Sequence, residues 1–137
     1  MKKLVLIISV ALLFSANSFA NDNGKELFVK KCSTCHTLSF PKNKSDMVAP
    51  PAPGVMFHMH QRFQNDDKKI LAYMRNFVFN PTKKTSLKKE TKRFGLMPSQ
   101  KGNVTPDELK QITSWMVKNI HMNKKQHEMR EKKYKKQ

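Results

Sequence analysis

The chain has 137 residues, enough for one domain and too few for a multidomain enzyme or a long repeat array. It carries 27 Lys and Arg against 10 Asp and Glu, a formal charge of +17. A balance so basic would by itself suggest nucleic acid, yet no nucleic-acid-binding motif occurs in the chain, and that class is set aside.

Residues 1–20 read as a secretory signal peptide. Lys2 and Lys3 form a positive start, Leu4 to Phe14 is an apolar run too short to span a bilayer, and Ser18-Phe19-Ala20 offers small residues at the two cleavage positions. No second hydrophobic stretch follows, so the expected product is an exported, periplasmic domain over 21–122 with a basic tail over 123–137.

The first helix is expected to open on a capping box at Asn23 and Glu26 and to run for about 13 residues, with Leu27, Phe28, Cys32 and Cys35 on one side. Its end carries the motif that decides the chemistry, Cys32-Ser33-Thr34-Cys35-His36. In an oxidising compartment two cysteines pair by default, but a disulfide here would close a tiny loop and constrain the unfolded chain little. A thioredoxin-like dithiol needs a strand feeding a helix, and the neighbourhood has no strand-like alternation. A structural zinc site needs a second pair of ligands at finger-like spacing, which is missing. Covalent haem attachment uses all three residues: two thiols form thioethers to the vinyl groups, and the adjacent imidazole reaches the iron.

A long loop follows, and then a second periodic segment begins near Asp66, with Ile70, Tyr73, Met74 and Phe77 as its apolar stripe, stopping before Asn80-Pro81. The next stretch is basic, with Lys83, Lys84, Lys88, Lys89, Lys92 and Arg93 against Glu90 alone. It leads to Phe94-Gly95-Leu96-Met97-Pro98, where Met97 is the candidate for the sixth iron position. Gly95 permits an unusual backbone and Pro98 biases Met97 toward extended structure, so the thioether can point inward from outside a helix. By spacing alone Met47, Met56 and Met59 remain alternatives. The third helix has the clearest start, with Thr105 as N-cap, Pro106 at the first helical position and Glu108 completing the box. Its apolar face is Leu109, Ile112, Trp115, Met116 and Ile120. Three amphipathic helices with long loops and no convincing strand describe an all-α domain in which a haem supplies the missing apolar centre.

Taken together, the chain resembles a class I, mitochondrial-type monohaem cytochrome c over roughly Gly24 to Ile120. Gly24 and Phe28 resemble the family's Gly-x-x-x-Phe on the N-terminal helix, Cys32 to His36 its haem-binding motif, and Met97-Pro98 its methionine-ligand loop. Trp115 and Met116 fall where the family places an aromatic and an apolar residue on the C-terminal helix. The resemblance implies that these two helices cross, so that Phe28 meets Trp115. It also implies a proline carbonyl that accepts a hydrogen bond from the proximal histidine and so fixes the imidazole. Ala49-Pro50-Pro51-Ala52-Pro53-Gly54 matches that place, and alignment on Gly54 favours Pro50. The family usually has a leucine where Ala52 stands. His58 and His60 follow unexpectedly closely, as surface or propionate-contacting residues or else as an alternative ligand or second metal contact.

With His36 and Met97 filling both axial positions, no coordination site is open to substrate, and one-electron transfer by a single covalent haem c is the expected role. The expected protein is a monomeric periplasmic carrier rather than an enzyme. It would be steered by its positive field toward acidic redox partner proteins, donor and acceptor, with no nucleic acid bound and at most peripheral membrane contact through the tail. The alternatives are a haem subunit of a larger redox complex and, if Met97 is not bound, a ligand-binding or peroxidase-like haem protein.

Overall fold

A computed structural model describes residues 22–137; the expected signal peptide lies outside them. Among the described residues the regular structure is helical, apart from one isolated bridge between Lys101 and Val104. The helices are α1 (Asp22–Lys31), α2 (Ala52–Arg62), α3 (Asp67–Phe79), α4 (Lys88–Phe94), α5 (Pro106–Asn119) and α6 (Lys124–Lys135), with a 3₁₀ turn at Lys44–Asp46. None is long and apolar enough to cross a membrane.

The centre of the fold is the crossing of α1 and α5. Gly24 sits where the helices come closest: a methyl added there would meet Trp115 Cβ at 2.5 Å. One turn on, Phe28 is 1% exposed and its ring stands 5.7 Å from that of Trp115 at a 46° tilt. α3 packs on the other side of α5, so Ile70 and Met74 join Leu109, Ile112, Met116 and Val117 in one core. Arg75 reaches from α3 to the hydroxyls of Thr113 and Ser114, both at 3.2 Å. These bonds let a partly buried cation sit beside an apolar seam.

Capping chemistry explains the helix starts. Asp66 accepts from the Lys69 N–H at 3.1 Å to open α3. Thr105 and Glu108 exchange bonds at 3.2 and 2.8 Å to open α5. At the N-terminus the expectation differs from the structure. Asn23 lies inside α1 and donates its side-chain amide to Gln111 Oε1 at 2.7 Å, tying α1 to α5 rather than capping, and α1 is 10 residues long rather than about 13. Cys32 to Cys35 therefore lie in a turn just past its end.

Three helices stand where loops or an unassigned tail were expected, and two of them have a clear physical reason. α2 begins Ala-Pro-Gly, which reads as a loop. Pro53, however, falls in the first turn, where its missing N–H costs nothing, and Gly54 is buried beneath the Phe40 ring. α4 is a single basic stretch with no buried residue. α6 is almost wholly polar, yet Asn123 and Gln126 form a reciprocal capping box that starts it independently of α5. It lies against α2, with His127 stacked on Phe57 at 4.1 Å.

Candidate functional site

The hydrogen bonds that close α1 continue into the cysteine motif. Cys32 N–H and Ser33 N–H both donate to the Phe28 carbonyl, at 2.8 and 3.1 Å. Cys35 and His36 then fold back onto the Cys32 carbonyl, at 3.2 and 2.9 Å. This tight turn holds two thiols and an imidazole on a short arc anchored to the buried Phe28. Both cysteines are free thiols. Burial, with Cys35 adding to it, pushes the Cys32 thiol up to about 11.

His36 Nδ1 lies 2.8 Å from the Pro50 carbonyl oxygen. A carbonyl can only accept, so the proton is on Nδ1, and in the neutral ring Nε2 is the nitrogen with a free lone pair. The geometry thus selects one tautomer and orients the ring. A second bond closes the same loop at its base, where Ala52 N–H donates to the Thr37 carbonyl at 2.8 Å. Ala52 is fully buried. The segment between His36 and Ala52 is accordingly a loop pinned at both ends.

Met97 lies on a separate segment, and no hydrogen bond ties it to the Cys32–Pro50 group among the described residues. Gly95 ends α4 with φ +80°, a left-handed conformation that favours glycine. Beyond Pro98, Ser99 Oγ donates to the Phe79 carbonyl at 2.7 Å and Gln100 N–H to the Val78 carbonyl at 3.0 Å. Met97 is thus held between a helix cap and an anchor to the end of α3, half-buried in a segment without regular structure.

His58 and His60 occupy different surroundings. His58 Nε2 stands 3.6 Å from Glu90, and its ring is 5.1 Å from that of His127 in an edge-on arrangement. Burial, followed by His127 and Lys89, holds it below the ordinary histidine range. His60 faces His121 at 6.2 Å between ring centroids, and both its ring nitrogens are buried without a hydrogen-bond partner. Sequence reasoning missed His121 and His127, whose signal would have been the histidine spacing along α2 set against a helical tail.

The cytochrome c family model matches residues 21–119. The chain belongs to the cytochrome c family. A protein of Aquifex aeolicus (strain VF5), described as an uncharacterized protein, is 22% identical over 135 residues, covering 87% of this chain and 88% of its own. No solved structure matches the chain.

The cofactor of a cytochrome c domain is one covalently bound haem c with its iron. The residues present fit that group. The turn after α1 offers two free thiols and an imidazole with Nε2 available, and the segment after α4 offers a thioether. Val48, two residues before Pro50, is 69% exposed, and Leu96, next to Met97, is 38% exposed. The family's role is haem-based electron transfer.

Proposed function

We propose that this chain is a periplasmic one-electron carrier in which Cys32 and Cys35 tether the haem and His36 and Met97 are its axial ligands. The observation that carries the proposal is the His36–Pro50 hydrogen bond beside two free thiols. It fixes the orientation of the ring and leaves Nε2 as the nitrogen facing away from the carbonyl, free to ligate. When bound, the haem supplies one-electron Fe(III)/Fe(II) cycling.

The chain's own residues hold, orient and shield. Phe28 anchors the cysteine turn to the α1–α5 core. Gly95 and Pro98 shape the backbone that presents Met97. With both axial positions taken by protein, no site is left for substrate, which supports a carrier rather than an enzyme. The reading of residues 1–20 as a signal peptide supports a periplasmic location. The lysines and arginines of α4 and α6 supply a positive surface suited to acidic redox partners, with the protein acting as a monomer and the basic segment making at most peripheral membrane contact.

The test is the optical spectrum of the haem-loaded protein, oxidised and reduced, before and after addition of CO. The expected result is a low-spin spectrum with the thioether-to-ferric-iron charge-transfer band, no response to CO, and loss of the band in Met97→Ala. A high-spin spectrum or prompt CO binding overturns the ligand assignment and with it the carrier.

A further inference from the structure

The loop between His36 and Ala52 has no regular structure except the 3₁₀ turn at Lys44–Asp46, and a connection of this length would by itself be among the first parts of a domain to open. Its base is closed by the His36–Pro50 and Thr37–Ala52 bonds. Its tip is held from an unexpected direction, by the last turn of α6, which lies beyond the residues that match the family.

Tyr134 is 5% exposed, the most enclosed residue of α6, and its hydroxyl donates to the Pro41 carbonyl at 2.6 Å. Gln137 grips the next residues from both sides of its amide. Nε2 donates to the Lys42 carbonyl at 3.2 Å, and Oε1 accepts from the Lys44 N–H at 2.9 Å. α4 joins in through Arg93, which donates to the Lys44 carbonyl at 3.3 Å. Phe40 completes the contact. Its ring lies 6.4 Å from that of Tyr134 and 5.4 Å from the Arg130 guanidinium, and its far edge covers Gly54 at the start of α2. These contacts run from the C-terminus through Pro41 and Phe40 to the turn that carries Pro50 and Ala52.

We propose that α6 is a clamp on the 37–51 loop and that Tyr134 is a positioning residue for the His36 imidazole, acting through Pro41 and Phe40 on the Pro50 carbonyl. The clamp rests on the reading of His36 as an axial ligand only for its redox consequence; its mechanical part concerns the loop alone. Holding the loop tip removes conformations in which the Pro50 carbonyl swings away from Nδ1–H. The bond that sets ligand basicity is thereby kept closed.

The test uses the full-length, haem-loaded ferrous protein and follows solvent exchange of the His36 Nδ1 proton and the Ala52 amide by NMR. Tyr134→Phe removes one oxygen and keeps the ring in place. Gln137→Ala alters an exposed residue that cannot unfold the chain. Losing one net hydrogen bond from the clamp corresponds to exchange about fivefold faster at both protons in Tyr134→Phe, and faster again in the double variant. The Leu109 amide, inside the core, stays unchanged, and the reduction potential moves upward as the ring donates less to ferric iron.

Faster exchange confined to residues 40–44 and α6, with His36 and Ala52 unmoved, overturns the clamp and leaves Tyr134 a local packing residue. If the unmutated protein lacks the charge-transfer band, the Met97 assignment fails instead. The clamp is then decided by the Ala52 amide, which does not depend on the iron.

Discussion

Substituting Gly24 by alanine tests whether the α1–α5 crossing is the mechanical base of the site. The new methyl would stand 2.5 Å from Trp115 Cβ and 2.7 Å from the Gln111 carbonyl oxygen, where ordinary contact begins near 3.4 Å. The second obstacle is helix backbone and cannot rotate aside, so the helices must separate by roughly 0.7–0.9 Å, a gap that forfeits a quarter to a half of the dispersion between facing atoms. The residues facing across that gap include Phe28 and Trp115, the former fully enclosed. Overpacking and lost contact together come to about 3–4 kcal/mol, from which the better helix propensity of alanine returns at most about 1. The expected net destabilisation is about 2–3 kcal/mol. Denaturant unfolding followed by Trp115, the only tryptophan, reads it directly, as a lower midpoint with an unchanged slope. A Gly24→Ala protein as stable as the parent, or more so, would show that the helices are not in close contact there and would refute the packing argument.

Three further outcomes follow from particular contacts. Thr105→Ala removes one half of the α5 capping box and should cost about 1 kcal/mol in the same unfolding measurement, with the slope again unchanged. Docking of α6 should weaken in mild acid. Burial holds both His58 and His127 below the ordinary histidine value, Lys89 pushes both the same way, and the nearby Glu131 opposes it, while Glu90 beside His58 is itself raised by burial. The undocked rings bind protons first. The contribution of the two rings is therefore complete above the ordinary value near 6.5 and lost as pH falls through their depressed docked values. Amide exchange across Lys124–Lys135, corrected for its intrinsic pH dependence, should show faster opening at pH 5 than at pH 7.5. Equal protection at both would remove the histidine stack from the docking energy. Electron transfer to an acidic partner protein should slow as ionic strength rises, because the field of the α4 and α6 cations is screened over a Debye length of about 8–10 Å; a rate independent of salt would exclude steering.

Legibility in the sequence followed the strength of the local signal. α3 and α5 were legible because each combines a cap with a sustained apolar stripe: Asp66 before Ile70 and Met74, and Thr105-Pro106 before Leu109, Ile112 and Met116. The cysteine motif was legible because no other chemistry uses two thiols and an imidazole at that spacing. Asn23 misled because the same side chain that caps helices also bonds between them, and Gln111 stood across the crossing to receive it. α2 was hidden by Pro53 and Gly54, which mark turns in isolation and are harmless in a first turn covered by Phe40. The partners of His58 and His60 could not be read at all. They come from α4, from α6 and from the short connection before α6, and only the fold brings those together.

Two of the three helices that no periodicity announced, α2 and α6, also depend on each other. At 11 and 12 residues, α2 and α6 are near or below the length at which an isolated helix survives in water, and α6 is almost entirely polar. Each therefore needs tertiary contact. α2 finds it on its inner side, where Ala52, Met56 and Met59 join the core, and α6 covers part of what is left, with His127 against Phe57 and Tyr134 against the Phe40 that seals Gly54. The run of cations along α6 would repel itself in a free tail. Docked, Arg130 lies over the Phe40 ring, which stabilises one of those cations, and the helix's own Glu131 ties it to Lys89 of α4 at 3.1 Å. A basic tail that would otherwise be solvated thus becomes a helix because α2 and the 40–44 segment give it a surface. The same surface is the one that must stay in place for the Pro50 carbonyl to meet His36.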